Sequence, residues 1–150
     1  MPSVEVDETI RAPIREVWAL ICNAEAYKQM DPIESLEVVE EGPNWAIWRW
    51  EVKLKGSILI WTQRDTRREE DFRLEFHQLD GDLETFQGFW QLESLGDRQT
   101  RAILSVQFEI GIPMLSEMLD PVAVRAIRNN SHSMLSSLVQ QTDFSPSSGQ

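Results

Sequence analysis

Residues 45–54 alternate most clearly between apolar and polar side chains. Every second residue of WAIWRWEVKL is apolar, and together these residues form one face: Ala46, Trp48, Trp50, Val52 and Leu54. The opposite face contains Ile47 and the charged residues Arg49, Glu51 and Lys53. A period of two is typical of a strand with one buried face. The segment therefore predicts a strand whose tryptophans point to the core.

Six further segments are also predicted as strands. They are SVEVDETIRAP, ESLEVVEEG, SILIWTQRDTR, DFRLEFHQL, LETFQGFWQLESL and TRAILSVQFEIGI. Glycine-containing turns separate several of them, at Gly42-Pro43-Asn44, Gly56, Asp80-Gly81-Asp82 and Gly96-Asp97. Strands joined by short turns form an antiparallel meander.

Helical spacing occurs after the first strand and at the C-terminal end. PIREVWALICN and AEAYKQM predict two short helices, the second ending before Asp31-Pro32. From Pro113 onward, apolar residues recur at helical intervals as far as Leu138. Asp120-Pro121 leaves two alternatives, a short helix or loop to about 119 followed by a long helix, or one helix kinked there. We predict one domain over residues 1–141 and a flexible polar tail over 142–150.

These elements define an α+β fold with seven antiparallel strands and a long C-terminal helix. Such a helix can bury its apolar stripe only against the sheet. A strongly curved sheet wrapped on one helix leaves a space between the two. The pattern therefore predicts an internal cavity that holds a small molecule.

Composition narrows the possible partners. The chain has 150 residues and a formal net charge of -11, which disfavours contact with nucleic acid or an anionic membrane surface. We find no signal peptide and no apolar run long enough for a membrane span. The single cysteine, Cys22, fits a reducing cytoplasm. With only two histidines, His77 and His132, and no CxxC or HExxH spacing, we expect no metal site.

The order of elements resembles the helix-grip fold shared by START lipid-binding domains, birch-pollen-allergen-like proteins and polyketide aromatase/cyclases. The most telling segments are IRAPIREVWALICNAEAY, WTQRD, FRLEFHQLDGDLETFQGFW and FEIGIPMLSEMLDPV. The third is similar to the coenzyme-Q-binding and polyketide-cyclase branch. The resemblance spans about residues 3–140 and implies a curved seven-stranded sheet around the C-terminal helix, with two short helices between strands 1 and 2.

The resemblance also implies roles for individual residues. Arg64 matches, by its position in WTQRD, an arginine that points into the cavity of aromatase/cyclases and orients the polyketide. The residues alone leave the orientation of the Arg64 side chain undecided, because it can equally lie in solvent beside Asp65 or Glu69. A second arginine of those enzymes has no arginine counterpart here. Gln78 or His77 falls nearby, and we take all three residues as catalytic candidates.

The remaining candidates are predicted to line the cavity and contact the ligand. Tyr27 and Trp90 match aromatic positions of the family, and strand periodicity or helical spacing adds the others: Trp48, Trp50, Ile60, Thr62, Phe86, Gly88, Met118, Val122 and Asn129. A flat aromatic wall suits a polycyclic or polyene ligand.

The sequence thus predicts a protein that binds a hydrophobic small molecule. A polyketide cyclase/aromatase-like enzyme, without metal or organic cofactor, is the first hypothesis. An acyl carrier protein is a possible partner, through Arg67, Arg68 and Arg73, and the protein is expected to be a monomer or homodimer. The main alternative is a non-catalytic carrier of a lipid or isoprenoid quinone. A third is an interaction protein resembling the ribosome-associating toxin branch of the family.

Overall fold

The fold is built from seven strands and three α-helices, described here from a computed structural model over residues 3–54, 57–109 and 113–143. The side chains of 54, 57, 113–123 and 143 lie outside this description. The elements are β1 Ser3–Ile10, α1 Ile14–Ile21, α2 Ala24–Lys28, β2 Ile33–Glu41, β3 Trp45–Leu54, β4 Ser57–Arg68, a 3₁₀ turn Glu69–Asp71, β5 Arg73–Gly81, β6 Thr85–Gly96, β7 Gln99–Glu109 and α3 Pro113–Asp143.

All seven strands pair antiparallel in one sheet of order β1-β7-β6-β5-β4-β3-β2. The meander from β2 to β7 follows the chain, whereas β1 pairs with the last strand, Val6 opposite Leu104. The predicted helix-grip fold is confirmed. The C-terminal segment forms one helix through Asp143, so of the two alternatives the structure has the single helix. Residues 144–150 of the predicted tail lie outside the described residues.

The two short helices pack against the sheet, α1 on β6 and β7 and α2 on β2. Helix α1 follows Pro13 and buries Val17, Trp18 and Ile21, which recur at helical spacing. Helix α2 begins at Asn23, whose side chain accepts a hydrogen bond from the backbone N–H of Glu25 at 3.0 Å.

The core lies between the inner face of the sheet and α3. Strand β3 contributes the face predicted from its alternation, with Ala46, Trp48, Trp50 and Val52 all buried. Helix α3 adds Ala126, Ile127, Leu135 and Leu138. No helix in the described ranges has the length and apolar character needed to cross a membrane.

The pairing of β4 with β3 determines which face of β4 points inward. It pairs with β3 so that Trp50 lies opposite Trp61 and Trp48 opposite Gln63. Residues directly opposite each other point to the same side of a sheet. Trp61, Gln63 and Asp65 are accordingly buried, and the residues between them point outward.

Candidate active site between the sheet and α3

An internal cavity of about 70 Å³ lies between the sheet and α3. Most of its wall is apolar, and the aromatic part consists of Tyr27, Trp50, Trp61, Phe76, Phe86 and Trp90. Four polar side chains also reach it, Gln63 and Asp65 from β4, and Asn130 and Ser131 from α3. An apolar wall with a few polar groups is the usual composition of a small-molecule site.

The inner face of β4 forms a buried chain of hydrogen bonds. Trp61 Nε1 donates to Gln63 Oε1 at 2.9 Å, and Gln63 Nε2 donates to Asp65 Oδ1 at 2.8 Å. All three side chains are at most 6% exposed. Strand alternation places these residues in a row on one face, two positions apart.

Asp65 is a carboxyl group in an apolar environment. Burial raises the pKa of Asp65 from 3.8 to about 7, against the opposing effects of the Gln63 hydrogen bond and the nearby Arg67 charge. A carboxyl that gains and loses a proton near neutral pH can serve as an acid or a base.

Arg67 continues the same face of β4 beyond Asp65. Its guanidinium donates to the carbonyl oxygen of Cys22 at 3.2 Å and lies 3.9 Å from the carboxylate of Glu41. Its side chain is half-buried, and its Nε has no hydrogen-bond partner among the described residues. Arg67 therefore places a positive charge near Asp65.

The aromatic wall is organised around Trp50 and Trp61. Their rings stack at 6.0 Å with an interplanar angle of 9°, and Phe86 lies 4.9 Å from Trp61. Tyr27 meets the edge of Trp50 at 5.4 Å and donates its hydroxyl to the carbonyl of Ile21 at 2.6 Å. Burial raises the pKa of Tyr27 well above its ordinary value. Trp50 Nε1 is buried and has no hydrogen-bond partner in the described part of the chain.

Four of the predicted aromatic contacts lie in the cavity wall: Tyr27, Trp50, Phe86 and Trp90. Trp48 lies behind this wall, against Tyr27 and Trp50. Their contact with a ligand stays a prediction.

The predicted inward orientation of Arg64 is wrong. Its guanidinium lies on the outer face of the sheet, 4.8 Å from the ring of Trp45. Ile60 and Thr62 share that face, so they do not line the cavity either. The reason is the pairing with β3, which turns Trp61, Gln63 and Asp65 inward instead. The inward arginine of this strand is Arg67.

Gln78 and His77 point to opposite sides of β5. Gln78 faces inward beside Gln63, as its phase with Leu74 and Phe76 predicted, but its amide donates to the Leu83 carbonyl at 2.7 Å at the strand end. It does not belong to the cavity wall. His77 is exposed and borders a groove of about 360 Å³ on the outer face. The phase of β5 points His77 outward with Glu75, so its candidacy as a cavity acid or base is wrong.

Gly88 and Asn129 also differ from prediction. A side chain at Gly88 would clash with the Ser105 carbonyl oxygen and would lie 2.8 Å from the ring of Phe76. The glycine thus allows close packing and borders the outer groove instead of the cavity. Asn129 is exposed, and its neighbour Asn130 reaches the cavity.

The side chains of Met118 and Val122 lie outside the described residues, so their predicted contact stays untested. Among the described residues, no three His, Cys, Asp or Glu side chains cluster as a metal site would require.

Comparison with known proteins identifies the family. The sequence profile of the family described as polyketide cyclase / dehydrase and lipid transport matches residues 10–135, and the chain belongs to this family. The actinorhodin polyketide synthase bifunctional cyclase/dehydratase of Streptomyces coelicolor is 27% identical over 73% of the chain. The chain spans 37% of the length of that relative.

Solved structures share the fold over nearly the whole chain. TTHA0849 from Thermus thermophilus has a TM-score of 0.91 at 26% identity, covering 97% of this chain and all of that one. The Zhui aromatase/cyclase from Streptomyces sp. R1128 has a TM-score of 0.85 at 22% identity, covering 99% of this chain and 98% of that one.

Sequence reasoning missed Gln63, Asp65, Asn130 and Ser131. The phase of β4 follows from that of β3, because the register that pairs Leu54 with Ser57 also places Trp50 opposite Trp61. On α3, six polar residues follow one another at 128–133, and their order gives no indication of which ones face the sheet.

Proposed function

We propose that the protein binds an oxygen-bearing hydrophobic molecule in the cavity and promotes aldol cyclisation and dehydration of a poly-β-carbonyl chain. Membership of the cyclase/dehydrase family and the similarity to a bifunctional cyclase/dehydratase support this class of reaction. The observation that supports it most directly is the buried carboxyl of Asp65, held at the wall of an aromatic cavity.

The chemistry requires a group that both accepts and donates a proton. As a carboxylate, Asp65 removes a proton from a methylene between two carbonyls, and the resulting enolate carbon attacks a third carbonyl. The new alkoxide takes that proton back from protonated Asp65, which becomes a carboxylate again. In the dehydration step the Asp65 carboxylate removes a second C–H proton and passes it to the departing hydroxyl, which leaves as water while the C=C bond forms. The pKa of about 7 makes both forms of Asp65 available near neutral pH.

The aromatic residues and the unpaired indole N–H have a positioning role in this proposal. Trp50, Trp61 and Phe86 offer flat faces against which a folded chain can stack. Trp50 Nε1 donates to a ligand carbonyl. Holding the two reacting carbons together accounts for much of the acceleration in such ring closures.

A poly-β-carbonyl chain fits the cavity only if the cavity widens. The cavity of about 70 Å³ is smaller than the roughly 300–1,000 Å³ of typical ligand sites. Met134, half-buried on α3, is unbranched and can change rotamer at low cost. We expect the widening to occur on the α3 side, because hydrogen bonds hold the strands on the other side.

A non-catalytic carrier of a lipid or isoprenoid quinone is the second candidate. The predominantly apolar wall and the lipid transport in the family description favour it. An acyl carrier protein stays a proposed partner of the cyclase. Of the proposed contact residues, Arg67 is turned inward, whereas Arg68 and Arg73 both pair with Glu75 on the surface. A cytoplasmic location also stays a proposal.

A linear 3,5,7-trioxo thioester tests the cyclase proposal. It cyclises unaided through oxygen to a pyrone, whereas aldol closure gives a phenol, and liquid chromatography with mass spectrometry separates the two. We expect the protein to accelerate phenol formation and Asp65→Asn to lower that rate about 100-fold or more, the usual contribution of acid–base catalysis. The control is Arg64→Gln, one residue away on the outer face, which should keep the activity of the unmodified protein.

Native mass spectrometry of the protein from its own host separates the two candidates. A bound aromatic or partly cyclised polyketide supports the cyclase. A bound quinone or acyl lipid, together with no acceleration of phenol formation, supports the carrier. Full activity in Asp65→Asn would contradict the role given to Asp65.

A further inference from the structure

We infer that Trp61 and Gln63 form a one-directional hydrogen-bond relay that positions Asp65 and keeps its proton on Oδ2. In this relay Gln63 is a positioning residue, since it acts through Asp65. The contribution of the relay to proton transfer rests on the proposed function. The relay itself is a property of the protein without ligand.

The direction of the relay follows from the chemistry of the indole ring. An indole N–H is a donor only, so the atom of Gln63 that lies 2.9 Å from Trp61 Nε1 must be the amide oxygen. The amide NH₂ of Gln63 then points to Asp65 Oδ1 at 2.8 Å and must donate. Trp61 thereby settles the orientation of the Gln63 amide, which the amide alone would leave ambiguous.

The relay also settles which oxygen of Asp65 holds the proton. A proton on Oδ1 would face the N–H of Gln63, placing two hydrogens against each other. The proton of the neutral acid therefore sits on Oδ2. Within the described residues, the side chain of Asp65 accepts one hydrogen bond, from Gln63 Nε2 to Oδ1. Oδ2 thus remains available to donate to, or accept from, a group in the cavity.

Two of the polar groups near Asp65 donate hydrogen bonds elsewhere, while the Nε of Arg67 has no partner among the described residues. The Tyr27 hydroxyl donates to the Ile21 carbonyl, and the Arg67 guanidinium donates to the Cys22 carbonyl. The thiol of Cys22 is also close enough to interact electrostatically with Asp65. Arg67 acts on Asp65 through its charge and Gln63 through a hydrogen bond, and both favour the carboxylate.

The hydrogen bond from Gln63 consequently opposes the effect of burial on the pKa of Asp65. An apolar environment favours the neutral acid, whereas a donated hydrogen bond favours the carboxylate. Without the Gln63 N–H, the pKa of Asp65 should rise above its present value, and the carboxylate would become scarce at neutral pH. The relay therefore keeps both protonation states accessible.

Nuclear magnetic resonance of the full chain without ligand tests the relay. The carboxyl carbon of Asp65 and the indole N–H of Trp61 are followed between about pH 5.5 and 9, with Asp65→Asn and Trp61→Phe assigning the two signals. We expect the Trp61 indole proton to shift with the same midpoint as Asp65. In Gln63→Met the Asp65 midpoint should rise by about one pH unit, and the indole signal should no longer follow it.

Gln63→Glu provides a second variant with a different side-chain chemistry. It keeps an acceptor for Trp61 but replaces the donor facing Asp65 with a carboxylate, so the Asp65 midpoint should again rise. An indole signal that stays constant while Asp65 titrates would overturn the relay. An unchanged Asp65 midpoint in a folded Gln63→Met or Gln63→Glu protein would overturn the role of Gln63. Neither result depends on turnover, so a failed relay is distinguishable from a failed cyclase.

Discussion

Replacing Asp65 with asparagine should stabilise the folded protein, and the gain should increase with pH. Asparagine has nearly the same shape as the protonated acid, and its side-chain oxygen can still accept the Gln63 N–H. It differs in that it never ionises. The variant therefore isolates the free-energy cost of placing a charged carboxylate at this buried position.

The magnitude follows from the pKa of Asp65, which burial raises from 3.8 to about 7. Between these values the unfolded chain has released the proton while the folded chain retains it. The folded state thus binds more protons, and the free energy of unfolding falls as the pH rises. Each pH unit contributes about 1.4 kcal/mol, so the ionised Asp65 lowers the free energy of unfolding at pH 8 by about 4 kcal/mol compared with pH below 3.8.

Urea unfolding followed by tryptophan fluorescence measures this effect. The difference in free energy of unfolding between Asp65→Asn and the unmodified protein should increase by about 2 kcal/mol from pH 5.5 to 7 and then level off. The exposed residue Asp80 provides the control, since Asp80→Asn changes the net charge equally. A difference that stays constant over this pH range, or that increases toward low pH, would refute the argument.

Three further predictions concern other parts of the chain. Gly88→Ala should lower the free energy of unfolding by about 1–3 kcal/mol in a urea titration, because the added methyl group meets Phe76 and a neighbouring strand. The control Gln87→Ala should show no such loss, and an equal loss in both variants would contradict this reason. Thr100→Val should cost about 1–3 kcal/mol in thermal unfolding, because the buried carbonyl of Ala12 loses the hydroxyl that donates to it at 2.8 Å; an unchanged melting temperature would contradict it. Burial raises the pKa of Cys22 from 9.0 to about 11. Alkylation of Cys22 by iodoacetamide at pH 8, followed by mass spectrometry, should therefore be about 100-fold slower in the folded protein than in the protein unfolded in urea. Equal rates would contradict the raised pKa.

Much of the fold was predictable because the local patterns agree with it. The alternation of β3 gave the correct inner face, and the buried spacing of Val17, Trp18 and Ile21 gave α1. Only the structure shows that α3 is a single helix, because Asp120-Pro121 in the sequence is compatible with one helix or with a break near residue 119.

The candidate site was less predictable because its residues break the pattern that reveals a core. The inner face of β4 contains Gln63 and Asp65, while Ile58 and Ile60 lie on the outer face, and Ile58 is 51% exposed. Hydrophobic alternation therefore left the phase of β4 undecided, and the resemblance placed Arg64 inward, which is wrong. Buried polar residues at functional positions are a common reason for such failures.

The pairing of β1 with β7 has a consequence for synthesis on the ribosome. Ile10 lies opposite Thr100, so the first strand must wait for about 90 further residues before its partner exists. At roughly 5–20 residues per second, this delay is about 5–20 s. During that time Val4, Val6 and Ile10, all buried in the finished protein, have no strand to pack beside. The apolar side chains of β1 therefore cannot reach their final packing until β7 has been synthesised.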